Sequence, residues 1–341
     1  MPDFGDHMGI LITNLGSPTS TNLSDIKKYL TAFLMDERVI DIPKVFRSFL
    51  VKVLIVPKRA PKTAQSYKKI WRPEGSPLII YSKKLKEKIQ QKTDIPVALC
   101  MRYGEPSTEK AFEELLARDP DIQQVTVLPL YPQYTMSSFD TAVESLKKIH
   151  RGRNYKFKLK FLNLFYNHPD YIASLYATIK PFIVKGYDKL LFSYHGIPVR
   201  HLGKDEKRIA SGKADFNLPP INYQQQAIET SRLTAEALHI PKEKYETSFQ
   251  SRLSAAGKTW LTPYTVKRLS ELPGEGVKKL LVVCPAFIND CLETIEEIGM
   301  EGKETFENAG GESLTLIPCI NDQDQFAETV IKWASEGQLA L

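Results

Sequence analysis

His195 closes the apolar segment Leu190-Leu191-Phe192-Ser193-Tyr194 and is followed at once by Gly196. The end of a strand exposes a side chain, and a glycine behind it lets the chain turn sharply. A neutral imidazole placed there offers one lone pair, to a divalent metal ion or to a proton near neutral pH. An isolated histidine is more often structural than catalytic. This one stands out because its segment repeats a motif from the start of the chain. A second group is Asp290-Cys291-Leu292-Glu293-Thr294-Ile295-Glu296-Glu297. At about 100° per residue, Asp290, Glu293, Glu296 and Glu297 share an arc of roughly 120° on one helix, with Asn289 or Asp290 as its cap. Carboxylates in such a row repel one another unless cations or protons intervene. A solvated first turn favoured by the helix dipole gives the same pattern. The start of the row just after the apolar run Leu280–Cys284 favours metal delivery or proton removal.

The elements that must position these groups are short apolar runs alternating with stretches of helical period. Strands are expected at Gly9–Thr13, Pro96–Arg102, Gln124–Leu130, Phe157–Leu164, Lys189–Tyr194, Glu246–Ser251, Lys278–Cys284 and Ser313–Ile317. Helices are expected at Thr108–Ala117, Thr141–Ile149, Tyr223–Leu238 and Glu293–Phe306. Strands without polar alternation, separated by helices, indicate α/β architecture with parallel sheets covered on both faces. Phe157-Lys158-Leu159-Lys160-Phe161 does alternate, which places that strand at an edge.

An internal echo divides the chain. Gly9-Ile10-Leu11-Ile12-Thr13-Asn14-Leu15-Gly16-Ser17-Pro18 matches Lys189-Leu190-Leu191-Phe192-Ser193-Tyr194-His195-Gly196-Ile197-Pro198, and Val125-Thr126-Val127-Leu128-Pro129 matches Leu281-Val282-Val283-Cys284-Pro285. Two related α/β domains are therefore expected, residues 1–168 and 169–320, with 321–341 as a C-terminal helix packing back on the first. Ligands in such folds bind beyond the carboxyl ends of the strands, so the Gly-x-Pro turns would line a cleft between the halves. Residues 23–60 form a separate apolar block broken by Lys and Arg. Two core helices, or a lip meeting an apolar substrate or a membrane surface, fit it equally.

Lys and Arg number 46 against 40 Asp and Glu, an excess of +6 with no basic tract, which argues against a nucleic-acid partner. The four cysteines form no C-x-x-C, and Cys100 and Cys284 lie in apolar runs. Buried thiols in a reducing, cytoplasmic setting are the expectation. No secretory leader and no spanning segment of about 20 apolar residues is read in the sequence.

A cation held at an imidazole, with protons drained along carboxylates, is the task of metallating a porphyrin. Two pyrrole N–H protons leave as the metal enters, and aromatic walls grip the macrocycle. Tyr67, Trp71, Tyr131, Tyr134, Tyr194, Trp260 and Phe287 are candidates for such walls. Leu191-Phe192-Ser193-Tyr194-His195-Gly196-Ile197-Pro198 resembles the ferrochelatase signature around its histidine. Similar matches occur in family order at Pro61-Lys62, Tyr67, Gly75-Ser76-Pro77, Met101-Arg102-Tyr103, Tyr131-Pro132-Gln133-Tyr134, Trp260-Leu261-Thr262-Pro263, Pro285-Ala286-Phe287 and Glu293-Thr294.

The resemblance spans nearly the whole chain. It implies two similar domains, each with a four-stranded parallel sheet flanked by helices in a chelatase-like, flavodoxin-like topology, and a porphyrin cleft between them. It implies that Fe2+ is inserted into protoporphyrin IX, with His195 and Glu293 as the central pair and possible metal ligands, and Glu297 continuing the acidic path. Whether His195 abstracts protons or first binds iron stays open at this point. Leu15, Tyr67, Ser76, Arg102, Tyr134, Trp260 and Phe287 are the implied substrate contacts. Arg102 suits a propionate, and Leu15 favours protoporphyrin over coproporphyrin. Some relatives carry a [2Fe-2S] cluster on a C-terminal extension; with no Cys after Cys319, none is expected here, and iron is substrate rather than resident cofactor. Peripheral membrane contact through residues 23–60 is a further expectation. The rival readings are a cobalt or nickel chelatase, a non-catalytic porphyrin carrier, and a flavodoxin-like phosphate binder at Ser17-Pro18-Thr19-Ser20-Thr21. The last lacks any Gly-rich phosphate motif.

Overall fold

All eight apolar runs are strands, with ends shifted by a few residues at most: β1 (Met8–Gly16), β2 (Val97–Tyr103), β3 (Gln124–Pro129), β4 (Lys158–Phe161), β5 (Lys189–His195), β6 (Tyr245–Gln250), β7 (Lys279–Val283) and β8 (Ser313–Leu316). The computed structural model describes residues 7–211, 221–251 and 259–336, so the end of the expected terminal segment, 337–341, lies outside it. Two four-stranded sheets form, in the orders β2-β1-β3-β4 and β6-β5-β7-β8, and every pairing is parallel. The order is the same in both, as the internal echo requires: the repeated strand, β1 or β5, lies inside its sheet between the second strand and the third. The alternating strand β4 lies at an edge.

The chain divides into two compact units. Among the described residues, one comprises 7–130, 135–163 and 327–336, and the other those of 131–134 and 164–326. In the first, Leu11, Ala98, Val125 and Val127 of the sheet pack with Phe112, Leu115 and Leu146 of the helices Thr108–Arg118 and Thr141–Gly152. In the second, Leu191, Leu280, Val282 and Leu314 pack with Leu269, Ile298 and Phe306. Burial of each such side chain contributes about 1.5–3 kcal/mol, which is why strands covered by helices read as unbroken apolar runs.

The apolar block near the N-terminus divides between buried and exposed residues. It folds as the helices Leu23–Leu34, Lys44–Phe49 and Val56–Ile70, with a wider π-helical turn at Leu50–Ile55. Leu30, Leu34, Val51 and Val56 are core. Phe46 and Phe49 remain 69% and 61% exposed, and Val45, Val53 and Leu54 are exposed with them. The buried Arg47 ties this surface down by donating from Nη1 to the carbonyls of Ile40 and Ile42. Among the described residues no helix is long and apolar enough to cross a membrane.

The two repeated glycines show why the motif needs them. Gly196 donates to the Gln250 carbonyl at 2.7 Å, and a Cβ there would lie 2.8 Å from that oxygen. Gly16, at φ +107°, would bring a Cβ to 1.7 Å from the Tyr103 carbonyl. In each unit the glycine after the repeated strand thus leans on the end of the neighbouring strand. Gly16→Ala, with both a forbidden φ and a clash, is expected to cost at least about 3 kcal/mol, and Gly196→Ala about 1–3 kcal/mol. Shifts of the urea midpoint in that order are the check.

Candidate active site

His195 ends β5 half-buried, and its ring is fixed through one nitrogen. Nδ1 lies 2.7 Å from the Gly196 carbonyl, which can only accept, so Nδ1 carries the proton and the lone pair is on Nε2. The His195 carbonyl accepts from the Tyr223 hydroxyl at 2.8 Å, and the Phe287 ring stands edge-on with centroids 6.5 Å apart. Trp260 covers the turn after His195: it is buried, bridged to Pro198, and its ring would lie 3.6 Å from a Cβ on Gly196.

The acidic segment departs from the single regular helix expected from its sequence. It forms an α-turn at Leu292–Ile295, a π-helical stretch at Glu297–Gly302 and a last α-turn at Lys303–Asn308. The widening shows in the bond from Glu301 N–H to the Glu296 carbonyl at 2.9 Å, five residues apart. The N-cap is Cys291, not Asn289 or Asp290. Asp290 lies outside the helix and does not belong to the row. Its buried carboxylate accepts from Thr294 Oγ1 at 2.8 Å, Asn321 Nδ2 at 2.7 Å and the Cys319 N–H at 3.2 Å, a loop-fixing role. Glu296 is buried as well, which leaves Glu293 and Glu297 half-buried and within electrostatic reach of each other.

Glu297 accepts from the Ser251 N–H at 2.7 Å, Ser251 Oγ at 2.6 Å and Gln250 Nε2 at 3.4 Å. Burial raises its pKa above the ordinary 4.5, and the nearby Glu293 adds to this. The Ser251 donors and the positive influence of His195 offset only part of the rise. Glu293 is held at its backbone by Gln250 Nε2, 2.7 Å from its carbonyl, and at its carboxylate by the Cys291 thiol. Burial, then the Glu293 carboxylate, pushes that thiol well above its usual range, so it stays a neutral donor. Gln250 and Ser251 are the residues that nothing in the sequence pattern singles out. The available signal is positional, since β6 ends beside the end of β5 and Gln250 is in register with His195.

In the first unit, Arg102 leaves β2 half-buried. Its Nε donates to Thr141 Oγ1 at 2.8 Å and Nη2 to Asp36 at 2.6 Å, and its guanidinium lies 4.4 Å from the Tyr103 ring centroid. Burial alone would raise the Asp36 pKa. Hydrogen bonds from Thr141, the Arg38 backbone and Tyr103, together with the Arg102 charge, outweigh it and hold the carboxyl below its usual value. Leu15 is half-buried at the end of β1, and Tyr67 is buried edge-on to Trp71. Ser76 is buried with no partner for Oγ among the described residues. Tyr134 is fully buried, and its backbone N–H donates to Gln226 Oε1 at 2.9 Å.

An imidazole lone pair within electrostatic reach of Glu297, which is in turn within reach of Glu293, fits several metal or proton-transfer chemistries; the comparisons with known proteins decide between them. The family model described as ferrochelatase matches residues 7–338. The chain belongs to the ferrochelatase family. A ferrochelatase of Pseudomonas fluorescens (strain Pf0-1) is 42% identical over 98% of this chain and 99% of its own length. One of Ectopseudomonas mendocina (strain ymp) is 44% identical over 93% and 94%. Among solved structures, SirB from Bacillus subtilis with Fe3+ covers 97% of this chain and 95% of its own at TM-score 0.51 and 11% identity. The sirohydrochlorin chelatase SirB from Bacillus subtilis subspecies spizizenii, in complex with cobalt, gives 0.52 and 10% over the same shares. These two share their fold with this chain.

A raised Glu297 pKa means that its proton persists to higher pH than on an ordinary glutamate. Turnover that needs the carboxylate is therefore lost, as pH falls, at a value above 4.5. In plots of kcat against pH, Glu297→Gln is expected to be slower than wild type and to lack that acid-side fall.

Proposed function

We infer that this member of the ferrochelatase family inserts Fe2+ into protoporphyrin to make haem, releasing two protons. The observation that carries the residue assignment is the imidazole of His195, fixed with its lone pair on Nε2, within electrostatic reach of the half-buried Glu297 carboxylate. Nε2 takes a pyrrole N–H proton, and the resulting imidazolium is balanced by Glu297. A positive charge on this imidazole favours the ionised carboxylate. Glu293 and Glu297 together supply the two negative charges that an arriving Fe2+ neutralises, and they pass the released protons on. As the divalent cation enters the ring, both N–H protons leave, so charge is conserved at the macrocycle.

Phe287, Trp260 and Tyr134 are assigned to the porphyrin. In the first unit, Tyr67, Ser76 and the apolar Leu15 are assigned to the macrocycle. Arg102 is assigned to a propionate: Nη1 has no protein partner among the described residues, while Nε and Nη2 are anchored. Leu15 supports protoporphyrin, which carries fewer carboxylates than coproporphyrin. All four cysteines are free and buried, which supports a reducing compartment.

Mixing the protein anaerobically with protoporphyrin and Fe2+ and following the porphyrin absorption tests the assignment. His195→Ala and Glu293→Gln are each expected to bind porphyrin but to turn over about 10²–10⁴-fold more slowly. Variants as fast as wild type would remove these residues from the chemistry, and a wild type that binds porphyrin without metallating it would make the protein a carrier.

The exposed Val45, Phe46, Phe49, Val53 and Leu54, with exposed Lys44, Lys52 and Lys58 among them, support peripheral attachment to an anionic membrane surface. In flotation with vesicles containing anionic lipid, wild type is expected to rise with the lipid. The double variant Phe46→Ser, Phe49→Ser is expected to stay behind at unchanged metallation of soluble porphyrin. Equal flotation of the two would rule this surface out.

A further inference from the structure

We propose that Ser251, with Gln250 beside it, is a positioning residue that holds the Glu297 carboxylate in the orientation in which it serves His195. The proposal rests on the reading of Glu297 as a proton acceptor. Ser251 sits at φ 63°, a left-handed conformation that residues other than glycine rarely adopt and that persists only where the surroundings impose it. In that conformation its N–H and its Oγ converge on one carboxylate, at 2.7 Å to Oε1 and 2.6 Å to Oε2. One residue thereby fixes both oxygens, and hence the plane of the group.

The clamp is itself fixed. Gln250 is in register with His195 across β5 and β6, and its carbonyl accepts from Gly196. Its side-chain amide can be assigned without ambiguity: Nε2 faces the acceptor-only carbonyl of Glu293, so Oε1 faces Ser193 Oγ at 2.6 Å. Ser193 spends its single proton on Gln250, so Thr265 donates to Ser193 at 2.9 Å and Ser248 in turn donates to Thr265 at 2.8 Å. This buried chain of hydroxyls reaches through the second unit and ends at the amide that also touches Glu297 at 3.4 Å. The strand end that sets the imidazole therefore also sets the carboxylate, and the separation of the two is held by main chain.

A serine that merely closes the end of β6 would have the same backbone angle, and a mutant cycle separates the two roles. Ser251→Ala is expected to lower kcat about tenfold, in the range of a hydrogen bond to a charged group, with KM for protoporphyrin within twofold of wild type. In a Glu297→Gln background the same change is expected to cause no further loss. Ser251→Gly, which suits the left-handed angle and keeps the N–H while removing the hydroxyl, is expected to behave as Ser251→Ala does, and it covers the case in which the alanine variant does not fold. An unchanged kcat, a rise confined to KM, or a loss that multiplies with Glu297→Gln would overturn the proposal. Full activity of Glu297→Gln alone would instead sink the reading of Glu297 on which it rests.

Discussion

Removing a carboxylate from water costs several kcal/mol unless donors replace the lost hydration or the group gives up its charge. At Glu297 both remedies operate in part. Ser251 and Gln250 supply donors, and the remaining penalty leaves the carboxyl easier to protonate than an exposed one. The group thus has a donor on each oxygen and a pKa that is still raised. Much of the second unit follows from it: a strand end aimed at the carboxylate, a serine in a rare backbone conformation, and a helix widened where the acidic residues lie. The neighbouring Asp290 shows the contrast, since three donors and no open side make it a fixture of the loop.

The repeated frame gives both units the same strand order but different occupants at equivalent places. Where β5 ends in His195, β1 ends in Leu15-Gly16, and where β6 ends in Gln250 with Ser251 after it, β2 ends at Arg102 and Tyr103. One copy presents an ionisable set suited to moving protons. The other presents an apolar side chain and a guanidinium anchored by Asp36 and Thr141. The backbone constraint that survives in both is the glycine pressed against the adjacent strand end.

The strands were legible because burial on both faces leaves a continuous apolar run, and the echo between Gly9–Pro18 and Lys189–Pro198 was legible because its glycines answer to a steric demand. His195, Glu293 and Glu297 were legible as residue types in a family order. The widened turn was not: Glu293–Phe306 has helical period throughout, and only packing shows where the hydrogen bonds lengthen to five residues. Asp290 read as one more acid in a row because spacing carries no information about Asn321, which is distant in sequence. The block at 23–60 was ambiguous for a related reason, since its apolar residues divide between an inner and an outer face.

The helix Asp324–Glu336 lies for most of its length in the first unit, where Val330 and Trp333 are fully buried and Glu328 pairs with Lys92 at 2.8 Å. A ribosome makes the chain from the other end. The second unit, ending at Phe326, has all its strands before this helix emerges, whereas the unit that begins first must wait for Trp333 to fill its core. The order of synthesis and the order of completion are thus reversed: once Phe326 is clear of the ribosome the second half has its strands and this buried ring, while the first still lacks Trp333.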